Sequence, residues 1–183
     1  MKRMVVTVFA VVASLAVFGC QQQDQKKQQQ MNYAPPPMPA MPTQLQVNQL
    51  QEAATAAPKN PQAWIALGDA MMDSQRFSEA VEAYQKGLAL DPKNVPARVD
   101  MGTCYRGLGK FDKAVEEYRK ALKIEPNFPN GHRNMAVVLG YDLHKTSEGL
   151  AEFKKYLDLA PNAPDAPQVR QAIQELSSRP AGK

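Results

Sequence analysis

Two cysteines and two histidines in 183 residues leave little material for metal or redox chemistry. Neither His132 nor His144 has a second His or Cys three or four positions away, the helical spacing that a metal pair needs. The chain also lacks a G-x-S-x-G elbow, a phosphate-binding P-loop, a dinucleotide fingerprint and a C-x-x-C pair. Catalysis, metal binding and cofactor binding therefore have no motif to rest on, and no cofactor is expected. Lys and Arg never run longer than two in a row, which removes the usual footprint of a nucleic-acid binder. The formal charge of +4 is modest, and without Lys2 and Arg3 there remain 20 cations against 18 acids. Long hydrophobic runs are absent too. The most apolar stretch, Met4 to Phe18, has 15 residues, short of the roughly 20 that a helical membrane crossing requires.

That stretch has instead the length of a signal-peptide core, preceded by Lys2 and Arg3 and followed by the small Gly19 and then Cys20. Val17-Phe18-Gly19-Cys20 resembles the bacterial lipobox, with Val17 and Phe18 departing from its commonest residues. The resemblance implies a lipoprotein signal peptide over residues 1–19, cleaved before a Cys20 that carries diacylglycerol and an acyl chain such as palmitate. Two or more chains hold a protein to a membrane far better than one. A short N-terminal anchor that merely contains a cysteine is the competing reading. Gln21 rather than Asp follows the cysteine, which by resemblance to Gram-negative sorting points to the outer membrane, facing the periplasm.

Residues 20–43 are rich in Gln, with five prolines between Pro35 and Pro42 and no apolar face. Such a composition buries no core and is expected to act as a disordered tether spanning roughly 25 Å. Pro36–Pro39 and Pro39–Pro42 match a P-x-x-P ligand, a pattern common by chance.

Beyond the tether one phrase occurs twice. SQRFSEAVEAYQKGLALDP begins at Ser74, and LGKFDKAVEEYRKALKIEP begins at Leu108, 34 residues later. Within each 34-residue unit, apolar residues recur at helical spacing in two runs. Trp64, Leu67, Gly68 and Met71 form the first run, with Ala80, Tyr84 and Leu88 in the second. Met101, Gly102, Tyr105, Ala114, Tyr118 and Ala121 repeat the scheme, and Pro92 and Pro126 end the units. Breaks fall at 74–76 and 107–110. Gly109 suits a helix exit at positive φ, Asn60 a first-helix start, and Ser78 and Asp112 second-helix starts. Ala80 and Ala114 mark close helix approach, while Tyr84 and Tyr118 fill the space where the helices diverge.

These residues resemble the tetratricopeptide repeat family. The resemblance implies an all-α fold: a short right-handed superhelix of about three and a half helix hairpins plus a C-terminal capping helix. The expected boundaries are a half-repeat helix at 44–60, repeats at 61–94 and 95–128, a degenerate repeat at 129–163, a cap at 164–178 and a tail at 179–183. The half-repeat shows Leu50, Ala53 and Pro58 at second-helix offsets. In the third repeat Phe153, Tyr156 and Pro161 lie one residue late, which assigns an extra residue to the segment 140–149. Val169, Ala172, Ile173 and Leu176 stripe the cap.

The resemblance also implies a concave surface, lined by first helices, that holds a peptide or a partner's helix. The residues assigned to it are Ile65, Asp69 and Met72, then Val99, Asp100, Thr103 and Arg106, then Arg133, Asn134, Val137 and Tyr141. Three helices about 10 Å apart give a groove of ~30 Å, enough for eight or nine extended residues. Relatives that clamp a chaperone's terminal carboxylate use Lys, Asn and Arg where this chain has Ile65, Asp69, Asn130 and Asn134, which excludes that ligand. His132 falls at the Trp64 position and is expected to pack in the core; His144 is expected to be exposed. Cys104 is expected to be a buried small apolar residue. Glu82–Lys86 and Glu116–Lys120 have the spacing of solvated i,i+4 pairs. The expected function is a membrane-anchored scaffold that binds a protein or peptide in the bacterial cell envelope and assists assembly of a complex there. Weak self-association through the repeat ends and an envelope hydrolase using Asp69 or Asp100 are the alternatives.

Overall fold

The computed structural model describes residues 41–178. The signal peptide, Cys20, most of the tether and the tail 179–183 lie outside the described residues. Eight α-helices and one π-helical turn follow in order: α1 Gln44–Ala56, α2 Pro61–Asp73, α3 Phe77–Leu90, α4 Val95–Gly107, α5 Phe111–Ile124, α6 Pro129–Val137, the π turn Val138–Asp142, α7 Thr146–Leu159 and α8 Ala166–Ser178. No strand occurs among the described residues. Successive helices pack on one another as antiparallel hairpins, and α2 and α4, and α4 and α6, also meet directly. This is the all-helical superhelical array expected from the repeat.

The hairpins close on glycine. A Cβ on Gly68 would lie 2.8 Å from the Tyr84 ring, and one on Gly102 would lie 2.5 Å from the Tyr118 ring. Both rings are fully buried, as are Ala80 and Ala114. The tyrosines therefore do not fill a divergence between helices; each ring rests directly on the glycine of the facing helix.

Asn60 caps α2 by accepting from the Gln62 N–H, and Asn94 caps α4 in the same way from Ala97. Second helices start differently. Their cap positions are Arg76, Lys110 and Lys145, with no side-chain cap bond, and Ser78 and Asp112 lie inside the first turn. The turn before each second helix passes through one residue of positive φ: Gln75 at 58°, Gly109 at 69° and His144 at 55°. That geometry suits glycine, yet only the second turn has one.

The α1 stripe differs from expectation. Val47 and Ala54 are buried, Leu50 is half-buried and Ala53 is exposed. Val47 and Ala54 stand at the offsets of Val81 and Leu88, which face the following repeat. Leu50 and Ala53 stand at the offsets of Tyr84 and Gly87, which face their own hairpin's first helix. Among the described residues α1 has no such partner.

The third repeat holds the extra residue in its helix, while its turn keeps the length of the others. The Ser74 N–H donates to Ala70 and the Leu108 N–H to Cys104, both four residues back. At the equivalent place the Leu143 N–H reaches Val138, five residues back. One residue is thus absorbed by a π turn, at the start of the segment the sequence assigned. The third hairpin also closes differently. Ala136 takes the place of Gly68 and Gly102, and Phe153 takes that of the tyrosines. A Cβ on Gly149 would meet the Gly140 backbone at 2.7 Å, so here two backbones touch without a side chain between them.

Candidate functional site

The residues assigned to the groove lie on α2, α4 and α6, apart from Tyr141 in the π turn, and two of them pack inside their own hairpins. Val99 is 2% exposed and belongs to the core, so it lines no open surface. Ile65 is half-buried, its Cγ1 only 2.8 Å from a Cβ built on Gly87, and so it packs on α3. Both stand at the base of a hairpin, where Gly87 and Ala121 on the second helix leave room for them. In the third repeat the same position is Arg133 and faces the large Tyr156. That base is open: a recess of about 530 Å³ is lined by Asn130, Arg133, Tyr156, Ala163 and Asp165, among others.

The remaining residues share one face and divide by charge. At the α2 end, Asp69 is exposed and accepts a hydrogen bond of 2.6 Å from the Tyr84 hydroxyl. Partial desolvation of its carboxyl by the surrounding side chains raises it above the ordinary value against the pull of that bond, and Asp73 adds repulsion. Asp100 on α4 is pushed up to about 6, first by burial and then by Asp69 and Asp73. None of these three carboxylates has an ion-pair partner among the described residues. Met72 is half-buried one turn beyond Asp69, with its sulfur 3.9 Å from the Tyr84 hydroxyl.

In the middle, Thr103 meets the Tyr118 hydroxyl at 3.2 Å and accepts from the Asn134 amide at 3.3 Å, linking α4, α5 and α6. Asp69, Thr103 and Val137 occupy one repeat position, opposite Tyr84, Tyr118 and Phe153. Where the ring has a hydroxyl the facing residue is polar, and where it has none the facing residue is valine. At the far end the cations are already neutralised within the chain. Arg106 donates to Asp142 at 2.5 Å, and Arg133 pairs with Asp165, which also accepts from Tyr156. Tyr141 donates to Glu175 on α8 at 3.4 Å.

Sequence reasoning missed Asp73, Asp142, Asp165 and Tyr156. Asp73 lies one helical turn after Asp69 and was legible as the next residue on the face. Asp142 and Asp165 lie in the π turn and the α7–α8 loop, where no repeat register predicts what a side chain meets.

Other expected positions are occupied as follows. Cys104 is buried with no exposed surface, and burial, Asp100 and Asp69 push its thiol up to about 12, which leaves it a poor nucleophile. His144 is exposed and His132 is buried. Lys120 pairs with Glu116 at 2.7 Å. Lys86, however, forms no pair with Glu82 and lies over the Trp64 ring, 4.2 Å from its centroid. A cation stacked on a partly desolvated indole outweighs a fully solvated i,i+4 pair.

The fold is a helix-hairpin repeat array. Residues 71–137 match the model of the tetratricopeptide repeat family. No curated protein matches the chain. Among solved structures, one of MamA is 24% identical with a TM-score of 0.58, over 63% of this chain and 62% of that one. The first repeat domain of Spaghetti, bound to the HSP90 peptide SRMEEVD, is 22% identical with a TM-score of 0.59 over 65% of this chain and 94% of that one. The OM64 repeat domain of Arabidopsis is 18% identical with a TM-score of 0.58, over 63% and 94% of the two chains. The chain thus spans less than two thirds of that MamA structure, and these likenesses establish the repeat fold.

Proposed function

We propose that the protein is a membrane-anchored scaffold of the bacterial cell envelope whose repeat domain holds an extended or helical segment of a protein partner. In this reading Cys20 bears the diacylglycerol and acyl chain, residues 20–43 are the tether, and the domain stands at the periplasmic side of the outer membrane. Its task there is assistance to the assembly of an envelope complex. The observation that supports the binding role is the set of carboxylates Asp69, Asp73 and Asp100 on α2 and α4, none of which has a cation partner among the described residues. Leaving three coupled carboxylates without cations costs stability in the free domain, and a positively charged group on the partner would offset that cost. The Spaghetti repeat domain, which has a similar fold, holds a peptide.

Two experiments test the two halves of the proposal. A photo-reactive residue in place of Met72, introduced in living cells, should capture one partner protein, whereas the same probe at the exposed Lys123 should not. Equal capture from both places would defeat the groove. Cys20→Ser should release the protein from the membrane fraction; a variant still fully membrane-bound would remove the lipid anchor from the reading.

A further inference from the structure

One repeat position performs the same task with three different side chains. The Trp64 indole N–H donates to the Pro58 carbonyl at 3.1 Å, and an Arg98 N–H donates to the Pro92 carbonyl at 2.9 Å. His132 Nε2 meets the Pro126 carbonyl at 2.9 Å. In each case a side chain in the first turn of a first helix fastens the loop that enters its repeat. The second and third repeats add a further contact. Arg98 also donates to Glu117 on α5 at 3.0 Å, and His132 Nδ1 meets Glu152 on α7 at 2.6 Å. Glu117 and Glu152 are equivalent once the extra residue of the π turn is counted.

Guanidinium offers several N–H donors and indole one at any ordinary pH, whereas imidazole offers two donors only when it is protonated. Both ring nitrogens of His132 face oxygen acceptors, and the ring is 8% exposed, so water does not replace a lost partner. Only the doubly protonated ring serves both. Either neutral tautomer sets a lone pair against the Glu152 carboxylate or against the Pro126 carbonyl.

We infer that His132 is a protonation-dependent tie, an imidazolium that does in the third repeat what the Arg98 guanidinium does in the second. The groups that meet the ring are Glu152 from α7 and the Pro126 carbonyl from the α5–α6 loop. The neighbouring Arg133 is turned to Asp165. The tie is complete when His132 is protonated and Glu152 ionised. It weakens when the imidazole gives up its second proton, and again when Glu152 takes one. Its loss loosens α6 against α7 and the preceding loop. Asn134 and Val137 stand on α6, so the third of the concave face that they form becomes mobile at alkaline pH while the α2 and α4 portions stay ordered.

Hydrogen exchange of the full chain in neutral detergent reads this directly. After correction for intrinsic rates, protection of α6 and α7 should fall about tenfold relative to α4 and α5 between about pH 5.5 and about pH 8. His132→Arg, the second repeat's own solution, should keep the protection and abolish its pH dependence. His132→Gln should show low protection at both pH values. Unchanged protection across that range in the native chain, or the same pH dependence in His132→Arg, overturns the inference. Nitrogen chemical shifts of the native ring provide the variant-free check. Two protonated nitrogens at about pH 5.5 agree with the tie, and a single-tautomer neutral ring there defeats it.

Discussion

The second and third hairpins are built to one plan and closed by different means. In the second, a tyrosine ring lies on a glycine, the base is filled by Val99 beside Ala121, and the loop is fastened by a guanidinium. The third has phenylalanine above alanine, two backbones in contact at Gly149 and Gly140, a base opened by Tyr156 and Arg133, and an imidazole at the loop. An inserted residue turned α6 into a π turn, and the neighbouring positions have been refitted around it. The comparison shows where this fold tolerates variation. The crossing of the hairpin admits no extra atoms, whereas the base and the loop fastening accept several solutions. The most severe test of that distinction is a branched side chain in the second crossing. Gly102→Val would place its Cβ within 2.5 Å of the buried Tyr118 ring. It should cost about 3 kcal/mol or unfold the domain, read as the shift of the denaturant midpoint. Ala136→Gly at the same place in the third hairpin should cost about 1 kcal/mol, the ordinary propensity loss. Equal costs would show that the two crossings are alike after all.

Loop fastening comes next. The Arg98–Glu117 pair has side-chain exposures of only 15% and 10%, so removing one partner leaves a charge that water does not reach. Arg98→Met should cost about 2 kcal/mol, the residual Lys120–Glu117 contact at 2.8 Å limiting the loss. The double replacement Arg98→Met with Glu117→Leu should recover most of it. Chemical denaturation of the two variants checks this, and an uncorrected loss in the double variant would assign the effect to packing of the Arg98 stem.

Asp100 separates the acidic end of the face from the neutralised end. Its folded pKa of about 6 lies above the ordinary carboxylate value of 3.8. Below 3.8 the group is protonated in both states and carries no penalty. As pH rises to about 6 the unfolded state ionises first, and above that the penalty is complete. Asp100→Asn should therefore stabilise the free domain by about 1–2 kcal/mol at neutral pH and by nothing near pH 3.8. The groups facing it are Asp69 and Asp73 on α2, Tyr84 on α3 and Tyr118 on α5, with Cys104 on its own helix. A Tm gain that does not grow with pH would locate the raised pKa elsewhere.

Much of this architecture was legible because a 34-residue period forces the same contact at the same offset. Gly68 with Tyr84 predicts Gly102 with Tyr118, and a residue buried once is buried again. The same logic misled at Val99. Its offset is that of Ile65, which packs on α3, and Val99 is itself buried in the core, so neither lines an open groove. It misled also at Ser78 and Asp112, where good capping chemistry lies inside the first turn of the helix that Arg76 and Lys110 begin. The partners of Arg106 and Arg133 were illegible. Asp142 and Asp165 approach them across 36 and 32 residues through irregular segments, and no period connects such places.

The smallest effect concerns the ion pair that joins the two hairpins on the outside. Arg119 on α5 meets Glu148 on α7 at 3.3 Å, with side-chain exposures of 60% and 51%. Its partners are solvated on both sides, the geometry is single-pronged, and ordering two long side chains offsets most of the attraction. Arg119→Ala should change stability by less than about 0.5 kcal/mol, and any change should vanish at high salt. The buried Arg98–Glu117 pair has similar chemistry and a distance only slightly shorter, and its loss should be several times larger and nearly independent of salt. Measuring both variants at low and high ionic strength therefore isolates burial as the cause of the difference. A salt-sensitive loss above about 1 kcal/mol at Arg119 would mean that the outer surface helps to hold the refitted third hairpin on the second. The burden would then shift from the core contacts between α5 and α6 to the convex face.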